Sequence, residues 1–168
     1  WNPYVGVGQP LAADTTQNLF SPTTLGYFLP VEFWDVTILF TIWLAGFFTF
    51  LFLRSLGLKF ESALMGSIIY MLSGAFSWYA HNPLPQVIIF TPLILFSIEK
   101  IIQNNNPKFI VLGSVSLACG ILGEHLETII LQLILVTSYF IFRIFSIYRN
   151  SKINSNQFLV TVSNYNLK

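Results

Sequence analysis

Val36-Thr-Ile-Leu-Phe-Thr-Ile-Trp-Leu-Ala-Gly-Phe-Phe-Thr-Phe-Leu-Phe-Leu53 carries no charge and ends on Arg54-Ser-Leu-Gly-Leu-Lys59. Taken from Val31, at ~1.5 Å per residue, it crosses a ~30 Å hydrocarbon core as a tilted helix. The basic pair that closes it belongs to a pattern. Arg54/Lys59, Lys100/Lys108 and Arg143/Arg149/Lys152 account for seven of the 8 Lys and Arg residues. Two apolar spans separate each of these stretches from the next. Lys and Arg are retained on the cytoplasmic side of a membrane, so the three basic stretches share that face. The opposite face collects residues 1–30, His81-Asn82-Pro83 and Glu124-His125-Leu126-Glu127.

Composition agrees. The chain of 168 residues is 54% hydrophobic, 17% aromatic and 9% charged, with a mean hydropathy of +0.67. A soluble domain carries about 25% charged residues, so lipid rather than water must cover most of this surface. A net charge of +1, with the basic residues at helix ends, excludes a nucleic-acid footprint. The single cysteine, Cys119, lies within an apolar span and has no intrachain partner for a disulfide. Trp1 opens the chain with no basic segment and apolar core of a signal peptide, and the sequence is expected to be an internal piece of a longer membrane protein.

The fold class expected is all-α, a polytopic transmembrane helix bundle of five spans, at about 31–53, 61–79, 84–102, 108–123 and 128–148. Residues 1–30 form a structured outer loop, 31–150 the bundle, and 151–168 a cytoplasmic loop with the start of a further span near Phe158–Val162. The protein is placed in the plasma membrane, with 1–30 outside and 151–157 in the cytoplasm. Four prolines and three glycines within 1–30 rule out one long helix there, though Asp14–Asn18 can open a short one. Glu32 and Asp35 fall in the first turn of the first span, where the helix dipole favours acids. Ala63, Gly66, Ser67, Ser73, Gly74 and Ala75 suit close packing of the second span. Pro92 predicts a kink in the third, accommodated by neighbours or by Thr91.

The fourth and fifth spans are short of residues. Between Lys108 and Arg143 the chain must cross and return with an acidic turn at its midpoint, and each crossing needs roughly 20 residues. The turn is therefore expected to sit below the outer surface, in a polar cavity. Ionisable residues at membrane depth mark a functional site. Glu124, His125 and Glu127 suit a divalent ion, acid–base work, or a phosphate held through His125. His81 is a lone loop histidine, for which solvation is the simplest state. No Walker motif, Gly-x-Ser-x-Gly, His-Glu-x-x-His or Cys-x-x-Cys occurs, which leaves soluble nucleotide hydrolysis, serine hydrolysis and zinc peptidase chemistry without support.

Trp1-Asn-Pro-Tyr-Val-Gly-Val-Gly-Gln-Pro-Leu-Ala-Ala-Asp-Thr-Thr-Gln-Asn-Leu-Phe-Ser-Pro22 resembles the first-loop signature of YfhO-like bacterial membrane proteins, of the GT-C class of polytopic glycosyltransferases. Pro92-Leu-Ile-Leu-Phe-Ser-Ile-Glu-Lys100 and Gly123-Glu-His-Leu-Glu-Thr128 are similar to its apolar segment ending in a charged pair and to its Gly-His-Pro-Glu/Gln-Thr turn. The resemblance covers about residues 1–148. It implies an enzyme that takes a sugar from a polyprenyl-phosphate carrier and passes it to a cell-envelope glycan or lipid acceptor on the outer face. No cofactor is implied with certainty. The catalytic acid of the family precedes the Trp-Asn-Pro-Tyr segment, so it is expected upstream of Trp1. Asn2, Tyr4, Asp14, Gln17, His81, Glu124, His125 and Glu127 are then expected to line the substrate cavity. Glu124 departs from the pattern by standing where the family has a small residue or Gly.

The chemistry asks for a carboxylate to activate the acceptor hydroxyl and for donors to stabilise the leaving phosphate. Outer-face acids supply the first, and no outer Lys or Arg supplies the second. Two other classes remain open at this point, a transporter or flippase module and a non-catalytic scaffold.

Overall fold

The structure, a computed structural model, describes residues 20–77, 84–104 and 106–165. Among the described residues every regular element is helical. Two 3-10 turns, Pro22–Phe28 and Val31–Phe33, lead into α1 (Trp34–Ser55), α2 (Phe60–Met71), α3 (Gly74–Ser77), α4 (Leu84–Ile88), α5 (Thr91–Asn104), α6 (Lys108–Ile121) and α7 (Leu126–Tyr165). Val31–Ser55, Leu84–Asn104 and Leu126–Arg149 are long and apolar enough to cross a membrane, while Phe60–Phe76 and Lys108–Ile121 are shorter. Large apolar side chains such as Leu39, Trp43, Ile69 and Val111 stand exposed, as a lipid-facing surface allows and an aqueous one does not.

The five expected spans thus differ in reach and continuity. The second span divides at Leu72–Ser73 into α2 and α3, and the third divides at Ile89–Phe90 into α4 and α5. The cause of the second break is chemical. Pro92 has no N–H to offer the Ile88 carbonyl four residues back, so a continuous helix would leave that oxygen bare. The expected kink is instead a two-residue break, and Pro92 sits in the first turn of a new helix, where it is tolerated.

Trp1–Leu133 forms one compact unit and Ile134–Lys168 a second. Within the first, α1 packs against α2 and α5, and α5 against α6. Its core gathers Ala45, Phe76, Ile89 and Phe90, with Phe48 and Tyr70 against it. Small residues set the α1–α2 distance, as their pattern foretells. A Cβ on Gly46 would stand 2.7 Å from Met71 Sδ, and one on Gly66 2.6 Å from Leu53 Cδ1. The Arg54–Lys59 turn closes α1 through Gly57 at φ +86. There Leu58 N–H donates to Leu53 O and Gly57 N–H to Arg54 O, a Schellman ending that only glycine adopts without strain. At the same end Gln103 Nε2 donates to Ser55 O at 2.7 Å and to Glu99 Oε1 at 3.0 Å, tying α5 to α1. In the second unit the helical backbone continues to Tyr165, so Ser151–Gln157 is helical where a loop is expected.

Candidate functional site

The α4–α5 break frees the Ile88 carbonyl and leaves that of Val87 with a turn bond from Phe90 N–H at 3.3 Å, and two neighbouring elements donate to them. Tyr70 of α2 donates its hydroxyl to Ile88 O at 2.9 Å. Gln132 of α7 donates Nε2 to Val87 O at 3.3 Å and to Thr91 Oγ1 at 3.0 Å. Side chains of neighbouring helices repair non-helical backbone where lipid offers no partner. The break lies beside the middle of α1, because Phe90 packs in the Ala45 cluster and its ring stands 6.2 Å from that of Phe48.

Around this break the end of α6 and the start of α7 close a polar knot. A Cβ on Gly123 would come within 2.8 Å of Val87 Cγ2 and 3.1 Å of the Gln86 carbonyl carbon, and one on Gly120 within 3.0 Å of Gln132 Oε1. Glycine at both positions lets the α6–α7 turn press onto α4 and onto Gln132. That contact also sets its position. The 14 residues of α6 reach about 21 Å, and the contact at Gly123 stands the turn beside the break.

Within the turn three ionisable residues do three different things. His125 caps α7. Its Nδ1 accepts from Thr128 N–H at 3.4 Å and lies 2.6 Å from Thr128 Oγ1, while its carbonyl accepts the Ile129 N–H. In the tautomer that accepts the Thr128 N–H at Nδ1, the ring carries its proton on Nε2. Glu127 is exposed in the first turn of α7, where an acid suits the helix dipole. Glu124 is the one described non-glycine residue with a positive φ, +58, and its Oε2 is buried without a hydrogen-bond partner. A helical turn would have paired Glu124 with Thr128 or Glu127. Here it is His125 and Thr128 that meet.

Two further oxygens share the Glu124 condition. Gln86 and Gln132 are each 4% exposed, and Oε1 of each has no partner. The Gln132 amide cannot be turned round, because Val87 O can only accept and so demands the nitrogen. Among the described residues no three His, Cys, Asp or Glu side chains are placed to hold a metal ion, and the divalent-ion option for Glu124, His125 and Glu127 has no support there.

A cavity of about 450 Å³ runs from Pro22 and Gly26 along Phe33, Thr37 and Thr41 of the N-terminal half of α1 to Phe90. Its hydroxyls are already engaged. Thr37 donates to Phe33 O and Thr41 to Thr37 O, which leaves the cavity apolar in character. Phe90, at its far end, is followed directly by Thr91 of the polar knot.

Of the expected lining residues, the structure brings Glu124 and His125 to this knot and leaves Glu127 at its exposed edge. Asn2, Tyr4, Asp14, Gln17 and His81 lie outside the described residues. Gln86, Gln132, Tyr70 and Thr91 were not on the sequence-based roster. For Gln132 a signal existed, a lone amide in an apolar span, which signals a cross-helix hydrogen bond.

The chain matches no family model, no curated protein and no solved structure.

Proposed function

We propose that the chain is part of a YfhO-like membrane glycosyltransferase of the GT-C class, five times across the plasma membrane, that transfers a sugar from a polyprenyl-phosphate carrier to a cell-envelope acceptor on the outer face. One observation carries the reading. A buried carboxylate oxygen of Glu124, without a partner, belongs to a turn that packs on a helix break at Gln86 and Val87, and the same break lines an apolar cavity through Phe90. A lipid-linked sugar needs that pairing, an apolar path for the chain beside a polar place for the head. In this reading residues 1–30 are outside, the Glu124 turn sits below the outer surface in a polar cavity open to that face, and the basic ends are in the cytoplasm. Glu124 accepts from substrate hydroxyls, His125 offers Nε2–H to the phosphate, and Glu127 orients the ring or a hydroxyl.

The test is transfer by the full-length enzyme. His125→Ala and Glu127→Ala are each expected to reduce glycosyl transfer at least ~10-fold, which is ~1.4 kcal/mol of transition-state stabilisation, with normal membrane insertion. Full activity in both variants would reduce the turn to a structural loop.

A second reading has its own support. Two broken helices meet at Tyr70 and Ile88, and discontinuous helices are the means by which transporters build substrate sites. A flippase would move the lipid-linked sugar between leaflets of a vesicle without transferring it, and the enzyme would not.

A further inference from the structure

The polar knot is selective in the kind of hydrogen bond it lacks. The buried side-chain atoms left without partners among the described residues are Gln86 Oε1, Glu124 Oε2 and Gln132 Oε1. The carboxylate and the Gln132 oxygen, fixed by the bond from Nε2 to Val87 O, are acceptors, and the Gln86 amide can present its oxygen beside them. They are carried by elements in direct contact. Gly123, the neighbour of Glu124, lies against Gln86 and Val87 of α4, and Gln132 bonds Val87 O and lies against Gly120. A buried oxygen without a donor forfeits the hydrogen bonds water would give it, and three in one knot call for a ligand that brings donors. A phosphate brings only acceptors and would meet like polarity there, with a carboxylate among the three.

We propose that Gln86, Glu124 and Gln132 form the subsite for the hydroxyl groups of the carried sugar and exclude its phosphate. This rests on the glycosyltransferase reading above and deepens it. The oxygens accept from ring hydroxyls of a hexose, the Gln132 nitrogen stays on Val87 O, and the phosphate lies away from these three oxygens, at the His125 edge of the knot. Glu124 holds a strained backbone because its carboxylate is directed inward to this subsite.

The experiment is equilibrium binding to the full-length protein in nanodiscs of two probes, a polyprenyl-phosphate hexose and the same polyprenyl phosphate without sugar. Wild type is expected to bind the sugar-bearing lipid at least ~10-fold more tightly, or ~1.4 kcal/mol. Gln86→Leu and Glu124→Gly are each expected to lose most of that preference while binding the bare lipid phosphate as wild type does, which also shows that they fold. A preference retained in both variants overturns the subsite and leaves the glycosyltransferase reading standing. Equal binding of the two lipids by wild type overturns both. A sodium-dependent thermal shift that both variants abolish, with the sugar preference intact, assigns the oxygens to a cation and likewise overturns the proposal.

Discussion

Glu124 holds a backbone conformation that glycine adopts freely and other L-residues pay ~1–2 kcal/mol to adopt. Strain of this kind persists where the surroundings over-determine it and gathers at functional sites. The neighbouring His125 has a structural duty besides any chemical one, since it caps α7 through Nδ1. The two duties separate by substitution. His125→Ala removes the cap and is expected to cost ~1 kcal/mol of stability, whereas His125→Asn keeps a capping oxygen and restores most of it. Only the imidazole offers Nε2–H, so both variants are expected to lose transfer alike. Thermal unfolding beside an activity assay reads the two effects independently. An Asn variant with wild-type transfer would limit His125 to capping.

The broken helices are built from a proline and its creditors. Pro92 withholds a hydrogen bond from Ile88 O, and Tyr70 supplies it from another helix. Tyr70→Phe should therefore cost ~1–3 kcal/mol, the penalty for a buried carbonyl left bare. In a Pro92→Ala background residue 92 regains an N–H that can reach Ile88 O, and the same Tyr70→Phe change is expected to cost less than half as much. A double-mutant cycle in unfolding free energy measures this directly. Equal costs in both backgrounds would show that the proline does not cause the break.

For the molecule as a whole, the distribution of Lys and Arg is the observation on which sidedness rests. With Cys119→Ala as background, cysteines at Leu58 and Asn105 are expected to react only from the cytoplasmic side, and a cysteine at Phe28 only from outside. Phe28 is 77% exposed, so accessibility does not limit its labelling. Reaction of position 58 or 105 with an impermeant reagent from outside would invert the proposed topology and remove the Glu124 turn from the outer face.

Helical class and the presence of helices long and apolar enough to cross a membrane were legible without coordinates, because both follow from local quantities. Uncharged runs such as Val36–Leu53 have the length of a bilayer, a content of 9% charged residues cannot solvate a globule, and basic clusters mark where spans end. The shortness of α6 was legible too, from a count of residues between Lys108 and Arg143. Partnership across the fold was not. Pro92 announces that Ile88 O is orphaned, but nothing in its surroundings along the chain names Tyr70, 18 positions away, as the donor. Gln132 reads as one amide in an apolar helix until α7 packs it 3.0 Å from Thr91 Oγ1, 41 positions away. Glu99 reads as half of a charged pair with Lys100 until α5 turns it inward, 1% exposed, onto Gln103. Span length, charge and propensity are properties of a segment, whereas the meeting of α2, α4, α6 and α7 around one helix break depends on close packing at Gly120 and Gly123. That packing decides which oxygens are satisfied and which remain open to a ligand.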